Sequence, residues 1–174
     1  VEGVQAWLGQ YSEFEYGGET KIGELVGVKP ELFEDFPQFE ISEGRALRDN
    51  DKFKAVLGST AAEDMFDEKL AVKNSLEVDG HSIRIVGILE SLGNPRDDRA
   101  VFIPLETARE LFDKPEEVSI MYVDTDEVFD VNKVAEDIED KLEDERGRKD
   151  FNVQTLEQVK ESIENVLGLI QGMM

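Results

Sequence analysis

The sequence has 174 residues but no cysteine, a single histidine and a single tryptophan. Without cysteine there is no disulfide, no thiolate nucleophile and no zinc site of the histidine–cysteine type. The only imidazole, that of His81, follows a predicted hairpin turn, and we expect it to be exposed rather than to act as a metal ligand. The missing cysteines do not identify the compartment.

Basic residues are also scarce. The chain carries 19 Lys and Arg against 41 Asp and Glu, which gives a net charge of −22. A field of this sign repels nucleic acid and anionic lipid head groups, so neither is an expected partner. We interpret the acidity as a heavily solvated surface, with a cation-collecting surface as the alternative.

Long apolar runs are missing too. The chain is 40% hydrophobic, enough for one domain with a core or for two small lobes. No run approaches the roughly 20 apolar residues that span a bilayer. Both ends look trimmed, because Val1 opens without an initiator Met and the sequence closes on the apolar stretch VLGLIQGMM. We therefore expect a soluble piece of a longer chain.

Motifs for catalysis and ligand binding are incomplete. Ser59 follows Gly58 at a strand-to-helix turn, but the second glycine and the histidine partner of a nucleophile elbow are missing. The glycines at 23 and 27 complete neither a dinucleotide fingerprint nor a phosphate loop. The acidic segment 124–130 has Phe129 where a calcium loop requires glycine. We predict no catalytic residue, no cofactor and no metal, and hence no enzyme.

The first 38 residues predict strands followed by a short helix. Residues 1–12 fit either a helical stripe or a strand, and their two glycines favour the strand. Extended segments at 13–16 and 21–28 meet at Gly17-Gly18, where positive φ is easily adopted. The stretch from Pro30, a preferred first helical residue, predicts a short helix that ends at Pro37.

The central region predicts a strand, a helix and a hairpin. A strand at 53–57 leads through Gly58 into a helix with Thr60 and Glu63 as a capping box. The helix would turn three side chains inward: Ala61, Met65 and Phe66. Asp79-Gly80, between alternating segments at 76–78 and 83–89, is the strongest two-residue hairpin signal. Gly87, inside the second of these strands, indicates a bulge or a close backbone approach. A further strand, AVFI, and a helix from Pro104 follow the loop SLGNPRDDR.

The last third predicts a β-α-β unit. Its parts are a strand at 118–123, a helix from Val131 to about Glu145, and a strand at 151–153. The apolar stripe of the helix requires it to lie on a sheet. Thr155 and Gln158 then form a predicted capping box. This box opens a helix that either packs on this domain or continues into a part of the protein outside this sequence. Its predicted apolar face consists of Val159, Ile163, Val166, Leu167 and Ile170.

Three phrases occur in a specific order, AVLGSTAAEDMF, LEVDGHSIRIVGILES and AVFIPLETARELF. They are followed by a strand, an acidic amphipathic helix and DFNVQTLEQV. This series resembles the extracytoplasmic core domain of MacB-type ABC transporter permeases, a group that includes lipoprotein-releasing and FtsX-like permeases. The resemblance runs from about Val26 to the C-terminus, and residues 1–25 match it only loosely.

The resemblance implies an extracytoplasmic domain between the first two of four membrane helices. In such a permease, a separate cytoplasmic ATPase drives a conformational change, which the permease relays to the export or extraction of a substrate. The resemblance does not identify that substrate. Its partners would be the ATPase subunit and a second permease subunit, while the isolated domain would be monomeric. It would lie at the extracytoplasmic face of the cell membrane.

The implied fold is α+β with two lobes, a discontinuous β-α-β lobe near the membrane and an inserted, mostly β lobe. We map the first onto residues 1–38 and 107–174, and the second onto residues 39–106. The segment Ser91–Arg99 joins two core strands and carries alternating charges, so it is either a partner contact or a mobile connector. The predicted contact residues are Asn94, Arg96, Asp97, Asp98 and Arg99.

Two other classes stay open. A free-standing extracytoplasmic module that binds a ligand or peptide fits the same pattern and predicts a gene with only a signal peptide or a single anchor. A hydrolase that uses acidic residues predicts turnover by the isolated domain. The permease predicts a hydrophobic span immediately beyond Met174 and two more further on.

Overall fold

A computed structural model describes residues 3–36, 38–126 and 128–172, without the side chains of Asp35 and of residues 166–172. Strands and helices are numbered in chain order. The strands are β1 (Gly3–Tyr16), β2 (Glu19–Val28), β3 (Ile41–Gly44), β4 (Lys54–Leu57), β5 (Ser75–Val78), β6 (His81–Leu89), β7 (Val101–Pro104) and β8 (Ile120–Asp124). The helices are α1 (Leu32–Asp35), α2 (Ser59–Asp64), α3 (Pro95–Asp98), α4 (Leu105–Phe112), α5 (Val131–Arg146) and α6 (Leu156–Gly172).

The chain divides into two compact units. One comprises Val1–Gly3 with Asp124–Met174, and the other comprises Val4–Val123. The lobe boundaries predicted at residues 38 and 107 stay a prediction. Within the described ranges, no helix is both long and apolar enough to cross a bilayer.

Six strands of the unit Val4–Val123 pair in a closed cycle. The order is β1, β2, β7, β4, β6, β5 and again β1. The pairs β2–β7 and β4–β6 are parallel, and the other four are antiparallel. β3 adds to β6, and β8 adds to β1. Closure of this kind limits the open edges at which another chain could pair.

Two hairpins form where the sequence predicts them. Tyr16 pairs with Glu19 across Gly17-Gly18, whose φ values are 58° and 85°. Val78 pairs with His81 across Asp79-Gly80, with φ values of 46° and 78°. Positive φ at both central residues matches the type I′ turn, whose twist suits paired strands. The predicted strand at the N-terminus is also confirmed, because β1 runs without a break from Gly3 to Tyr16.

Gly87 lies at a bulge and at a close backbone approach, as predicted. The β4–β6 register shifts between Ala55 and Val56, opposite Val86 and Gly87. A Cβ at Gly87 would overlap the carbonyl oxygen of Arg45. The bulge therefore requires glycine and brings the start of the segment after β3 against β6.

The central strands are buried on both faces, which explains their continuous apolar sequence. All four residues of β7 are buried. Val101 and Ile103 belong to a core cluster that includes residues of α2 and α4, whereas Phe102 belongs to a second, aromatic cluster. In that second cluster Trp7, Phe39 and Phe102 pack edge to face, with ring centroids 5.8–6.4 Å apart. The aromatic cluster forms the base of the site described below.

Two predicted helix starts in this unit are wrong. Helix α1 begins at Leu32 rather than Pro30, because Leu32 N–H and Phe33 N–H bond the carbonyls of Lys29 and Pro30 and close tighter turns. The predicted end at Pro37 lies outside the described residues. Helix α2 is capped by Gly58, so the Thr60–Glu63 box is out of register and no side chain caps this helix. Of the three side chains predicted to face inward, Ala61 in α2 is buried, Phe66 just after α2 is buried, and Met65 is partly buried against the same core.

The unit that contains Asp124–Met174 is built on two capped helices. Asp130 accepts hydrogen bonds from the N–H groups of Asn132 and Lys133 and so starts α5, which Gly147 ends at a φ of 64°. The apolar stripe of α5 is only partly buried, and 151–153 is not a strand, because its alternation is too short to specify a pairing.

The predicted capping box before α6 is confirmed. Thr155 N–H donates to Gln158 Oε1 at 3.0 Å, and Gln158 N–H donates to Thr155 Oγ1 at 3.3 Å. Val159 and Ile163, on the predicted apolar face, are exposed. The side chains of Val166, Leu167 and Ile170 lie outside the described residues.

Candidate functional site

The segment Ser91–Arg99, called loop 91–99, connects β6 to β7 and contains the short helix α3. Asn94 caps this helix, since its Oδ1 accepts a hydrogen bond from Arg96 N–H at 3.1 Å. Asn94 Nδ2 also donates to Asp97 Oδ2 at 2.8 Å. The proline at the first turn and the Asx cap are therefore what fold this loop locally.

Asp98 fixes the loop from within. Its carboxylate is buried and accepts hydrogen bonds from Ser91 Oγ at 2.9 Å and from Leu92 N–H at 2.7 Å. Gly58 lies against the same turn, where a Cβ would clash with the carbonyl oxygens of Asp97 and Asp98. Asp98 and Gly58 thus hold the conformation of the loop, and the Asp98 carboxylate is not presented to solvent.

The two arginines of the loop differ in their surroundings. Arg96 donates from Nε and Nη2 to the carboxylate of Glu24, at 3.0 and 2.5 Å. The hydrogen bond to Glu24 raises the pKa of Arg96, and the bidentate geometry fixes the guanidinium. Arg99 is exposed, and its side chain bonds no residue in the described part of the chain. Arg99 is therefore the loop cation that is available to a partner.

A cleft next to the loop, called the aromatic cleft, has a volume of about 170 Å³. Trp7 and Tyr122 line it, with ring centroids 4.9 Å apart and an interplanar angle of 59°. The indole Nε1 of Trp7 is buried and bonds no described residue. Tyr122 is 41% exposed, so the cleft opens to solvent. Its other lining residues are Phe36, Gln38, Phe39, Leu92, Asn94 and Asp97.

Asp97 is the acidic group of the aromatic cleft. Burial raises its pKa above the ordinary aspartate value, although Arg96 and the hydrogen bond from Asn94 act in the opposite direction. The pKa of Tyr122 is raised as well, first by burial and then by the charge of Asp97. Among the described residues, none forms an ion pair with Asp97. A partly desolvated carboxylate without a counter-ion is costly in a folded protein.

A second cleft, of about 340 Å³, is acidic and is called the Asp51 cleft. Its charges are largely paired within the protein. Asp51 accepts from Arg45 and Lys54, and Lys52 pairs with Glu110 at 2.8 Å. No group of acidic or histidine side chains in the described ranges has the geometry of a metal site. The remaining lining residues are Asp49, Asn50, Glu106 and Thr107.

The five predicted contact residues are thus divided by the structure. Asn94 and Asp97 line the aromatic cleft, Arg99 is exposed, Arg96 is held by Glu24, and Asp98 is buried. Sequence reasoning did not find the aromatic residues, because they come from three distant segments of the chain. The only local signal was the three-residue spacing of Phe33, Phe36 and Phe39.

The sequence model of the MacB-like periplasmic core domain matches residues 1–141. The chain belongs to this family. A curated relative, an uncharacterised ABC transporter permease of Methanocaldococcus jannaschii, is 33% identical over 178 residues. The alignment covers 98% of this chain but 44% of that permease, so the chain spans less than half the length of this relative.

Solved structures show the same fold. The periplasmic region of MacB from Actinobacillus actinomycetemcomitans has a TM-score of 0.78 at 16% identity, covering 95% of this chain and 77% of that one. The extracellular domain of the ABC-type transporter YknZ from Gram-positive bacteria has a TM-score of 0.73 at 19% identity, covering 89% and 82%. The predicted membership of the MacB-like family and the predicted α+β fold class are confirmed.

Proposed function

We propose that this chain is the extracytoplasmic domain of an ABC transporter permease and relays ATPase-driven conformational change to a substrate outside the membrane. The observation that carries the proposal is the match to the MacB-like periplasmic core domain over residues 1–141. ATP hydrolysis would occur in a separate cytoplasmic subunit, and two permease subunits would move their outer domains together. The isolated chain is expected to sediment as a monomer at micromolar concentration.

These 174 residues contain no cysteine, so one introduced thiol can test their location once any cysteines elsewhere in the full-length permease are replaced. In the full-length permease, Glu145→Cys introduces a thiol at an exposed position of α5. We expect a membrane-impermeant maleimide to label this cysteine in intact cells, at a level well above that of the parent protein. Labelling only after cell lysis would contradict the extracytoplasmic location.

The same cysteine tests the relay without knowledge of the substrate. Spin labels on Glu145→Cys in two permease subunits, assembled with the ATPase, report the distance between their outer domains. We expect the distance distribution to change between the nucleotide-free and the ATP-bound transporter. An unchanged distribution, with ATP hydrolysis intact, would exclude a relay that moves these domains.

We also propose that loop 91–99 contacts a partner through its exposed charge. Because Asp98 holds the loop together, a test of contact leaves Asp98 in place and changes Arg99→Ser. The expected result is a transporter of normal expression that no longer complements a deletion strain, whereas Lys29→Ser, at an exposed lysine outside the loop, does complement it. Full complementation by both variants would contradict the proposal that loop 91–99 contacts a partner through Arg99.

A further inference from the structure

We propose that the aromatic cleft binds an alkylated ammonium group, with Trp7 and Tyr122 as the aromatic walls and Asp97 as the counter-ion. Rings facing a cation attract it through the negative charge on their faces, most strongly for Trp. Cages of aromatic rings are a recurrent way to recognise quaternary ammonium and methylated lysine groups. This inference does not depend on the proposed transport function, because it concerns the 174-residue chain alone.

The size of the aromatic cleft favours one small group. Its volume of about 170 Å³ is about half of the lower limit for drug-sized ligands, roughly 300 Å³. Four of its eight lining residues are aromatic: Trp7, Phe36, Phe39 and Tyr122. Rings suit the methyl groups of a trimethylammonium cation, and the carboxylate of Asp97 suits its charge. The cleft thus fits a cation with apolar substituents better than it fits an anion.

The charge of the aromatic cleft favours a cation. One oxygen of Asp97 accepts from Asn94, and the other has no hydrogen bond from a described residue. The neighbouring guanidinium of Arg96 is held on Glu24 and so does not form an ion pair with Asp97. A bound cation would supply the missing counter-ion to this partly desolvated carboxylate. The net charge of −22 would add a weaker, salt-screened attraction.

The fluorescence of the chain reports this site directly, because Trp7 is the only tryptophan. Choline is titrated at constant ionic strength, so that general attraction of cations is held fixed. Its neutral isostere 3,3-dimethylbutan-1-ol is the matched control. We expect a saturable change in Trp7 emission with choline in the millimolar range and none with the alcohol. An equal response to choline and to the alcohol would overturn the proposal. So would the lack of any response to choline and to the two capped lysine derivatives described below.

Variants separate the cation site from the stability of the fold. Asp97→Asn keeps an oxygen for the Asn94 hydrogen bond but removes the charge, and we expect the affinity for choline to fall about tenfold. Asp49→Asn removes an exposed charge in the Asp51 cleft and should leave the affinity unchanged. Unchanged affinity in a folded Asp97→Asn variant would overturn the proposal, as would equal losses in the two variants.

The ammonium group could belong to a side chain of a partner protein or to a free small molecule, and parallel titrations distinguish these two sources. Capped trimethyllysine and capped lysine represent a partner side chain, and choline represents a free small molecule. The tighter ligand identifies the source, and binding of any of them with the dependence on Asp97 supports the site. Binding should also weaken as the pH falls through the pKa of Asp97. The charged and titratable groups that face Asp97 are Arg96, Asp98, Glu24 and Tyr122.

Discussion

At the scale of single residues, Asp51 is the clearest electrostatic stabiliser. Its side chain is 5% exposed and receives hydrogen bonds from Arg45 Nη1 at 2.6 Å, Lys54 Nζ at 2.5 Å and Arg48 N–H at 3.1 Å. Burial is the largest single influence and opposes ionisation, but the hydrogen bonds from Arg45 and Lys54 together outweigh it. They lower the pKa of Asp51 to about 2. The charged carboxylate therefore holds the segment between β3 and β4 together, through its hydrogen bonds to Arg45, Arg48 and Lys54.

We predict that Asp51→Asn lowers the free energy of unfolding by about 2 kcal/mol at neutral pH. A lowered pKa means that the stabilisation is complete above the ordinary aspartate pKa of 3.8 and is lost as the pH falls towards about 2. The difference between wild type and variant should therefore shrink between about pH 4 and pH 2. Urea unfolding at a series of pH values measures it.

The control is Asp49→Asn, two residues away on the exposed side of the same segment. Its expected effect is within about 0.5 kcal/mol at every pH, as for most surface substitutions. A constant difference between wild type and Asp51→Asn down to pH 2 would show that the ionised carboxylate is not the source of the stability.

At the scale of elements, Gly58 couples helix α2 to loop 91–99. Its φ of −64° is accessible to alanine, so backbone strain would not explain an effect of Gly58→Ala. The new Cβ would instead clash with the carbonyls of Asp97 and Asp98. We predict a loss of about 1–3 kcal/mol in unfolding free energy, the range for overpacking. Faster amide exchange in loop 91–99 is the second expected result.

Ser59→Ala is the matched substitution, because it changes the next residue without adding an atom against the loop. Its expected change in stability is within about 0.5 kcal/mol. If the two variants lost the same stability and left amide exchange in loop 91–99 unchanged, the proposed contact between Gly58 and the loop would be excluded.

Elements specified by neighbouring residues could be predicted from the sequence. The Asp79-Gly80 turn requires only two residues with positive φ, and the Thr155–Gln158 box requires two side chains three apart. The Thr60–Glu63 pair has the same spacing but fails, because the N-cap of α2 is Gly58, two residues before Thr60. A local motif therefore predicts an element better than it predicts where that element begins.

The aromatic cleft could not be predicted, since no local pattern joins its walls. Trp7 lies in β1, Phe36 and Phe39 follow α1, and Tyr122 lies in β8. They meet only through the order in which the strands pair. The loop that carries Asn94 and Asp97 was predicted from its composition, but the pairing of Arg96 with Glu24, 72 residues away, was not.

At the scale of the whole molecule, the net charge of −22 sets the long-range electrostatics. Exposed carboxylates repel one another in the compact state more than in the expanded unfolded chain. Added salt screens this repulsion over a Debye length of about 10 Å at 0.1 M ionic strength. Paired and buried groups such as Asp51 are screened much less. Salt should therefore stabilise the fold as a whole without acting through Asp51.

We predict that the melting temperature rises by several degrees when NaCl increases from about 20 mM to about 500 mM. Asp51→Asn should melt lower than wild type at both concentrations but gain the same number of degrees. Calorimetry of both proteins at the two salt concentrations measures these shifts. A melting temperature that is independent of salt would mean that the exposed carboxylates do not destabilise the fold. If only wild type gained stability with salt, the salt effect would depend on the Asp51 carboxylate. That result would contradict the expectation that a buried, paired carboxylate is screened little by salt.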